Sequence, residues 1–270
     1  MHLRIVACLL TVPLLAGASL PKTGPLPEKK PTVAETSKPA EEKSEKDAPK
    51  TDRDEKPLPI PDHAKPLTEK PETEPEPVLT IETEDSTEYD ACLAALKQIG
   101  ATFKEEKRID DGKGCGIDKP LTLDMVLPGV ALKPEGKMRC ETALELARWT
   151  KEAVIPAANA ALPSEGPLVT INQASSYVCR LRNNGTTGKI SEHARGNAID
   201  IASFTFKSGK SIEIRPRDED STLAGAFQRA VTATGCLYFK TVLDPGSDAA
   251  HETHLHFDVL ERKNGYRYCR

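Results

Sequence analysis

The chain has 270 residues, of which 38% are hydrophobic and 29% charged, with a formal net charge of −4 at pH 7. That balance excludes the global basic field of a nucleic-acid-binding domain, and no nucleic-acid partner is expected. No segment reaches the ~20 apolar residues needed to cross a bilayer, so no stable membrane span is expected.

The chain opens with His2 and Arg4, an apolar run from Ile5 to Leu15, and Ala16-Gly17-Ala18, the small-x-small form of a signal-peptidase site. Residues 1–18 therefore read as a cleaved export signal, and the mature chain is expected to be periplasmic or secreted. Cys8 lies inside the apolar run and leaves with the signal, so lipid attachment is not expected. Cys92, Cys115, Cys140, Cys179, Cys236 and Cys269 remain. An even set in an exported chain points to disulfides. Cys92 with Cys115 and Cys236 with Cys269 would close convenient loops, although about fifteen pairings are open. No two are spaced C-x2-C or C-x4-C, which argues against a zinc-thiolate knot.

Residues 19–80 are dominated by Pro, Lys, Glu, Thr, Asp and Ala, as in Pro39-Ala40-Glu41-Glu42-Lys43 and Pro71-Glu72-Thr73-Glu74-Pro75. Such a segment lacks the apolar groups that offset the entropy of ordering. It reads as a charged, proline-stiffened tether that gives reach, or as a plain spacer, with His63 an ordinary solvated residue in it. The composition changes around Val78, and residues 81–270 are expected to form a single domain.

Within it, Tyr89 to Leu96 with Ile99 predicts a helix stopped by Gly100. Cys140 to Ala161 predicts a second, with Ala143, Leu144, Ala147 and Val154 on or near one face, Pro156 as a kink or end, and Trp149 in the core. Strands are expected at Leu168 to Ile171, Ala198 to Phe206 and Ser211 to Ile214, the last two as a hairpin about residues 207–210. A helix at Thr222 to Ala233 should end at Gly235, followed by strands at Leu237 to Leu243 and Leu255 to Leu260. The sum is an α+β fold, a mainly antiparallel sheet with flanking helices, stabilised by disulfides.

Apart from His2 and His63, the histidines fall in two short clusters. One is Ser191-Glu192-His193-Ala194-Arg195-Gly196-Asn197-Ala198-Ile199-Asp200, and the other is His251-Glu252-Thr253-His254-Leu255-His256-Phe257-Asp258. Side chains on a strand alternate, so His254 and His256 should share one face while Leu255 and Phe257 turn to the core. Catalytic zinc commonly takes three imidazole or carboxylate groups and leaves a position to water; His193, Asp200 and one histidine of the second cluster would supply them. Gly196 and Ala198 would let the loop pass close to the ion. The plain alternative is a hydrogen-bonded His193–Asp200 pair with surface histidines nearby. Glu192 and Arg195 read as solvated loop charges. Asp258 either orients a ligand histidine or ends its strand.

The run from Ser191 to Asp200 resembles the S-x-H-x-x-G-x-A-x-D motif of the D-Ala-D-Ala carboxypeptidases and dipeptidases, and His251-x-x-His254-x-His256 resembles the penicillin-insensitive murein endopeptidases. With Tyr177-Val178-Cys179-Arg180 and Gly114-Cys115-Gly116-Ile117, the pattern is similar to the extensin-like C-terminal domain family of bacteria, over most of Tyr89 to Cys269. The resemblance implies a zinc-peptidase-like core with His193, Asp200 and His256 as Zn2+ ligands. It also implies a hydrolase of peptide bonds in peptidoglycan stem peptides or cross-links; a non-catalytic wall-binding module that keeps the metal fold is the alternative, and a disulfide-stabilised domain without metal a third. The carboxypeptidases carry a glutamate where this chain has Thr253. His254 is then the first candidate for proton transfer and Glu252 the next by strand period, while His251 needs a loop or bulge to reach the site. Arg180 is a candidate for holding a substrate carboxylate or the developing oxyanion, or is a surface arginine beside a disulfide.

Overall fold

The computed structural model of the chain describes residues 79–270. The expected export signal, His63 and the tether up to residue 78 lie outside the described residues. Helix α1 (Ser86–Ile99) begins three residues before the predicted start because Asp85 caps it, its Oδ1 accepting from Thr87 N–H at 2.8 Å and Glu88 N–H at 3.0 Å. Gly100 ends it as expected, in the left-handed region at φ 89°.

The strands follow as β1 (Thr102–Glu105), β2 (Ile109–Gly112), β3 (Cys115–Ile117), β4 (Leu121–Leu127), β5 (Val130–Met138), β6 (Leu168–Ser175), β7 (Ala198–Phe206), β8 (Ser211–Glu213), β9 (Thr241–Leu243), β10 (Leu255–Asp258) and β11 (Tyr268–Cys269). Nine of them form one sheet in the order β1-β4-β5-β6-β7-β10-β9-β11, with β8 hairpinned onto β7; β2 and β3 pair separately. Only the β5–β6 and β9–β11 pairings are parallel, so the mainly antiparallel α+β expectation holds. The β7–β8 hairpin forms at its predicted place. Strands β1 to β5 have no counterpart in the sequence expectations.

Helix α2 (Cys140–Trp149) continues through one π-helical turn, Thr150–Val154, into α3 (Ile155–Ala161). This is the predicted 140–161 helix with its ladder loosened just before Pro156, which has no N–H to give. Trp149 is fully buried, donates to Val231 O at 3.0 Å, and meets Phe257 edge-on at 4.9 Å between ring centroids. Helix α4 (Leu223–Tyr238) runs past Gly235, against expectation. A Cβ at Gly235 would come 2.8 Å from the Phe257 ring, so this glycine permits close packing and does not stop the helix. Leu237 and Tyr238 consequently belong to the helix, and the strand expected from 237 shrinks to β9.

Three disulfides form: Cys92–Cys140 between α1 and α2, Cys115–Cys179, and Cys236–Cys269, the last as expected. The expected Cys92–Cys115 bond does not. Strand β3 carries Cys115 away from α1 to a small cluster with Ile190 and Ala194, leaving the start of α2 beside α1 to supply Cys140. Each bridge closes a loop long enough to stabilise the fold by about 3–5 kcal/mol. Three such bonds suit an oxidising compartment, periplasmic or extracellular. Among the described residues no helix is long and apolar enough to cross a membrane.

Candidate metal site

His193 stands on a single 3-10 turn, Glu192–Arg195, capped by Ser191 and closed by Gly196 in the left-handed region at φ 72°. Gly196 is glycine for a reason other than access to an ion. A Cβ there would lie 2.4 Å from Ile117 Cδ1, and its carbonyl accepts from Arg139 N–H and the Thr142 hydroxyl, both at 2.9 Å. Glu192 is not solvated as expected: it is buried, accepting from Arg182 at 3.0 Å and from the Asn197 side-chain amide at 3.0 Å. Arg195 is ion-paired with Glu82. These contacts hold His193 at 1% exposure.

Asp200 lies on β7 directly opposite His256 on β10. As the strand period predicts, Leu255 and Phe257 are fully buried in the core while His256 faces the site. His193 Nε2 is 3.1 Å from Asp200 Oδ1 and 3.1 Å from His256 Nδ1, and His256 Nδ1 is 2.9 Å from Asp200 Oδ1. Thus the three predicted ligands converge, each offering one atom within 4.8 Å of the others.

The outer edges of both imidazoles are already engaged. His193 Nδ1 donates to Ser176 O at 2.7 Å, a carbonyl that can only accept, so its Nε2 is left as a bare electron pair. His256 Nε2 lies 3.4 Å from Asp258 Oδ2, and Asp258 is itself fixed by the Thr241 hydroxyl at 2.6 Å and Leu260 N–H at 3.0 Å. With its proton on Nε2, His256 also turns an electron pair inward. With both rings neutral, two such pairs and a carboxylate meet without the hydrogens to satisfy them, and either a proton or a cation must fill the gap. Two imidazole nitrogens and one carboxylate oxygen are a donor set that fits catalytic zinc, and the orienting partners behind them are those a ligand histidine requires.

Electrostatics agree. Burial pulls the His256 imidazolium down, but the hydrogen bonds and charges of Asp200 and Asp258 outweigh it and lift its pKa to about 9. Burial pushes Asp200 up, yet His193 and His256 overcome this and hold it well below the usual carboxylate range. A cation is welcome here, whether a proton or a metal.

The other predicted residues divide. A cavity of about 260 Å³ beside the cluster is lined by His251, His254 and Arg180, with Arg182 and Glu192 on the same wall. It has room for a short stretch of substrate. His254 Nε2 is 3.7 Å from Asp200 Oδ1, and burial lowers its pKa, so it is neutral and able to accept a proton. His251 does not lie on a strand: β10 starts only at Leu255, and the preceding turn folds this imidazole inward, 5.2 Å from the His254 ring. The same turn leaves Glu252 exposed and off the cavity wall, because the strand period that nominated it does not extend to residue 252. Ser176, Arg182 and Glu192 carry no motif of their own and were not legible as site residues.

The family described as extensin-like protein C-terminus matches residues 90–270. No curated protein and no solved structure matches the chain.

Proposed function

The chain belongs to the extensin-like protein C-terminus family, and from that premise we propose that it is a zinc-dependent hydrolase of peptide bonds in peptidoglycan, in stem peptides or cross-links. The observation that carries the proposal is the convergence of His193, Asp200 and His256 with their outer hydrogen bonds already made. Those three residues would hold Zn2+. Zinc in such a site lowers the pKa of a bound water from about 15.7 toward 7 and polarises a carbonyl.

The chain's own residues then have separate tasks. Ser176 O and Asp258 orient the two ligand imidazoles. His254, neutral and on the cavity wall, accepts a proton from the attacking water and returns it to the leaving amine. Arg180 lines the cavity and makes no ion pair among the described residues, so its planar fork is open to a substrate carboxylate or the developing oxyanion. The substrate class is supported by the likeness of Ser191 to Asp200 to D-Ala-D-Ala carboxypeptidases and of His251 to His256 to murein endopeptidases. A signal at residues 1–18 would bring the domain to the wall, and the tether would let it range there.

The test is incubation of the purified, zinc-supplied chain with defined muropeptides and identification of products by mass. Wild type should release a cleaved peptide, and His254→Ala should keep its zinc while losing about 100- to 10,000-fold in rate. Zinc bound at one equivalent with no product from wild type would instead favour a wall-binding module.

A further inference from the structure

His251 is the one imidazole of the cavity wall that neither the ligand set nor the proton transfer employs, and it is held in an unusual way. Its side chain is only 9% exposed. The turn that carries it is organised by Asp248: one oxygen, Oδ1, accepts from Ala250 N–H at 2.8 Å and sits 2.7 Å from His251 Nδ1, while the Asp248 carbonyl accepts from His251 N–H at 3.1 Å. A single carboxylate oxygen therefore closes the turn and grips the ring.

The grip is directional. An ionised carboxylate only accepts, so Nδ1 carries the hydrogen, and in the neutral ring the electron pair is on Nε2. Asp248 is not on the cavity wall whereas His251 is, so the ring edge away from Asp248 is the one turned inward. The His251 ring lies 5.7 Å from that of His256 between centroids, so this imidazole stands beside the cluster.

We infer that Asp248 is a positioning residue: it holds His251 in the Nδ1–H tautomer, so that Nε2 faces the cavity as a hydrogen-bond acceptor for the substrate. What Nε2 accepts from, a peptide N–H beside the scissile bond, rests on the hydrolase proposal; the hold itself does not. Asp248 thus does for a substrate-facing imidazole what Asp258 does for a ligand.

The experiment uses the full chain with 15N-labelled histidine, with and without zinc, at pH 8. Long-range proton–nitrogen correlations report which ring nitrogen bears the hydrogen, with His251→Gln identifying the signal. Wild type should show a single Nδ1–H form. Asp248→Asn keeps an accepting oxygen at the same reach and should preserve it. Asp248→Ser can still cap Ala250 N–H but falls short of the ring, and should give a mixture of tautomers. Zinc stoichiometry shows that each variant is folded. On a cleaved muropeptide, Asp248→Ser should lower kcat about 10- to 100-fold at unchanged KM, with Asp248→Asn close to wild type. An Nε2–H form in wild type, or an Asp248→Ser spectrum identical to wild type, overturns the inference. If zinc-loaded wild type cleaves nothing, the hydrolase proposal is refuted while the tautomer still decides the role of Asp248.

Discussion

The two histidine segments are built on opposite plans. Around His193 the polar groups are pinned by other parts of the fold: Glu192 by Arg182 and Asn197, the Gly196 carbonyl by Arg139 and Thr142, and the ring itself by Ser176. The second segment is half strand and half turn. His256 is locked into β10, but His251 and His254 precede it on a turn whose Glu252 and Thr253 are exposed. The groups that would bear a metal stand on braced backbone, and the groups that would meet a substrate stand where the chain is held by fewer contacts. Such a division suits ligands that must not move and acceptors that must adjust.

Removing the centre of the braced side should have the largest effect. Asp200 touches both imidazoles of the cluster, so under the proposed function Asp200→Ala should abolish stoichiometric zinc, a loss beyond the ~10- to 100-fold that follows removal of an outer partner; metal analysis after dialysis measures it. Retention of one zinc per chain would mean that the braced segment is not the metal's seat. Asp258→Asn tests the same principle one step out. Zinc affinity by competition with a chelator should drop about 10- to 100-fold, with the ion still bound at high concentration.

The smallest effect separates a proton from a metal at the same place. The His256 pKa is raised to about 9 in the fold, above the ~6.5 of an unfolded histidine. A group raised in this way stabilises the fold fully below pH 6.5, and the contribution disappears as pH climbs through 9. The zinc-free chain should therefore melt lower at pH 9.5 than at pH 6.5, each kcal/mol being worth about 2–4 °C in a domain of this size. Zinc affinity should rise over the same window because the ion displaces that proton. Melting scans with chelator and with zinc check both, and a metal-free chain that gains stability with rising pH would contradict the electrostatics of the cluster.

The convergence of His193, Asp200 and His256 was legible because each belongs to a short pattern with its own geometry. Asp200 enters a strand, His256 alternates with Leu255 and Phe257, and the pairing of β7 with β10 does the rest. Strands β4 and β5 were not legible, although Leu121, Leu123 and Leu127 are buried and Pro128-Gly129 marks a turn. Irregularities between Leu123 and Met125 and between Met125 and Leu127 break the alternation on which a strand is recognised. Glu192 was misjudged for a related reason. A loop glutamate is solvated unless something satisfies it; its partners Arg182 and Asn197 are near in sequence, but neither spacing is a motif, and only the backbone turned back at Gly196 brings Asn197 onto it. Cysteine pairing fails in the same way: Cys115 is nearer to Cys92 in sequence, but β3 places it against Cys179.

That bridge joins the two stretches Gly114-Cys115-Gly116-Ile117 and Tyr177-Val178-Cys179-Arg180, and Cys179 immediately precedes the arginine of the cavity wall. The wall is fastened besides by the pairing of Leu181 with Ile190, the Arg182–Glu192 ion pair and the Tyr177 hydroxyl on Asp111, all of them non-covalent. A newly made chain with its thiols still reduced would hold the same cluster beside a rim that lacks this covalent tie. Oxidation would add the tie, in keeping with the oxidising compartment that three disulfides suit.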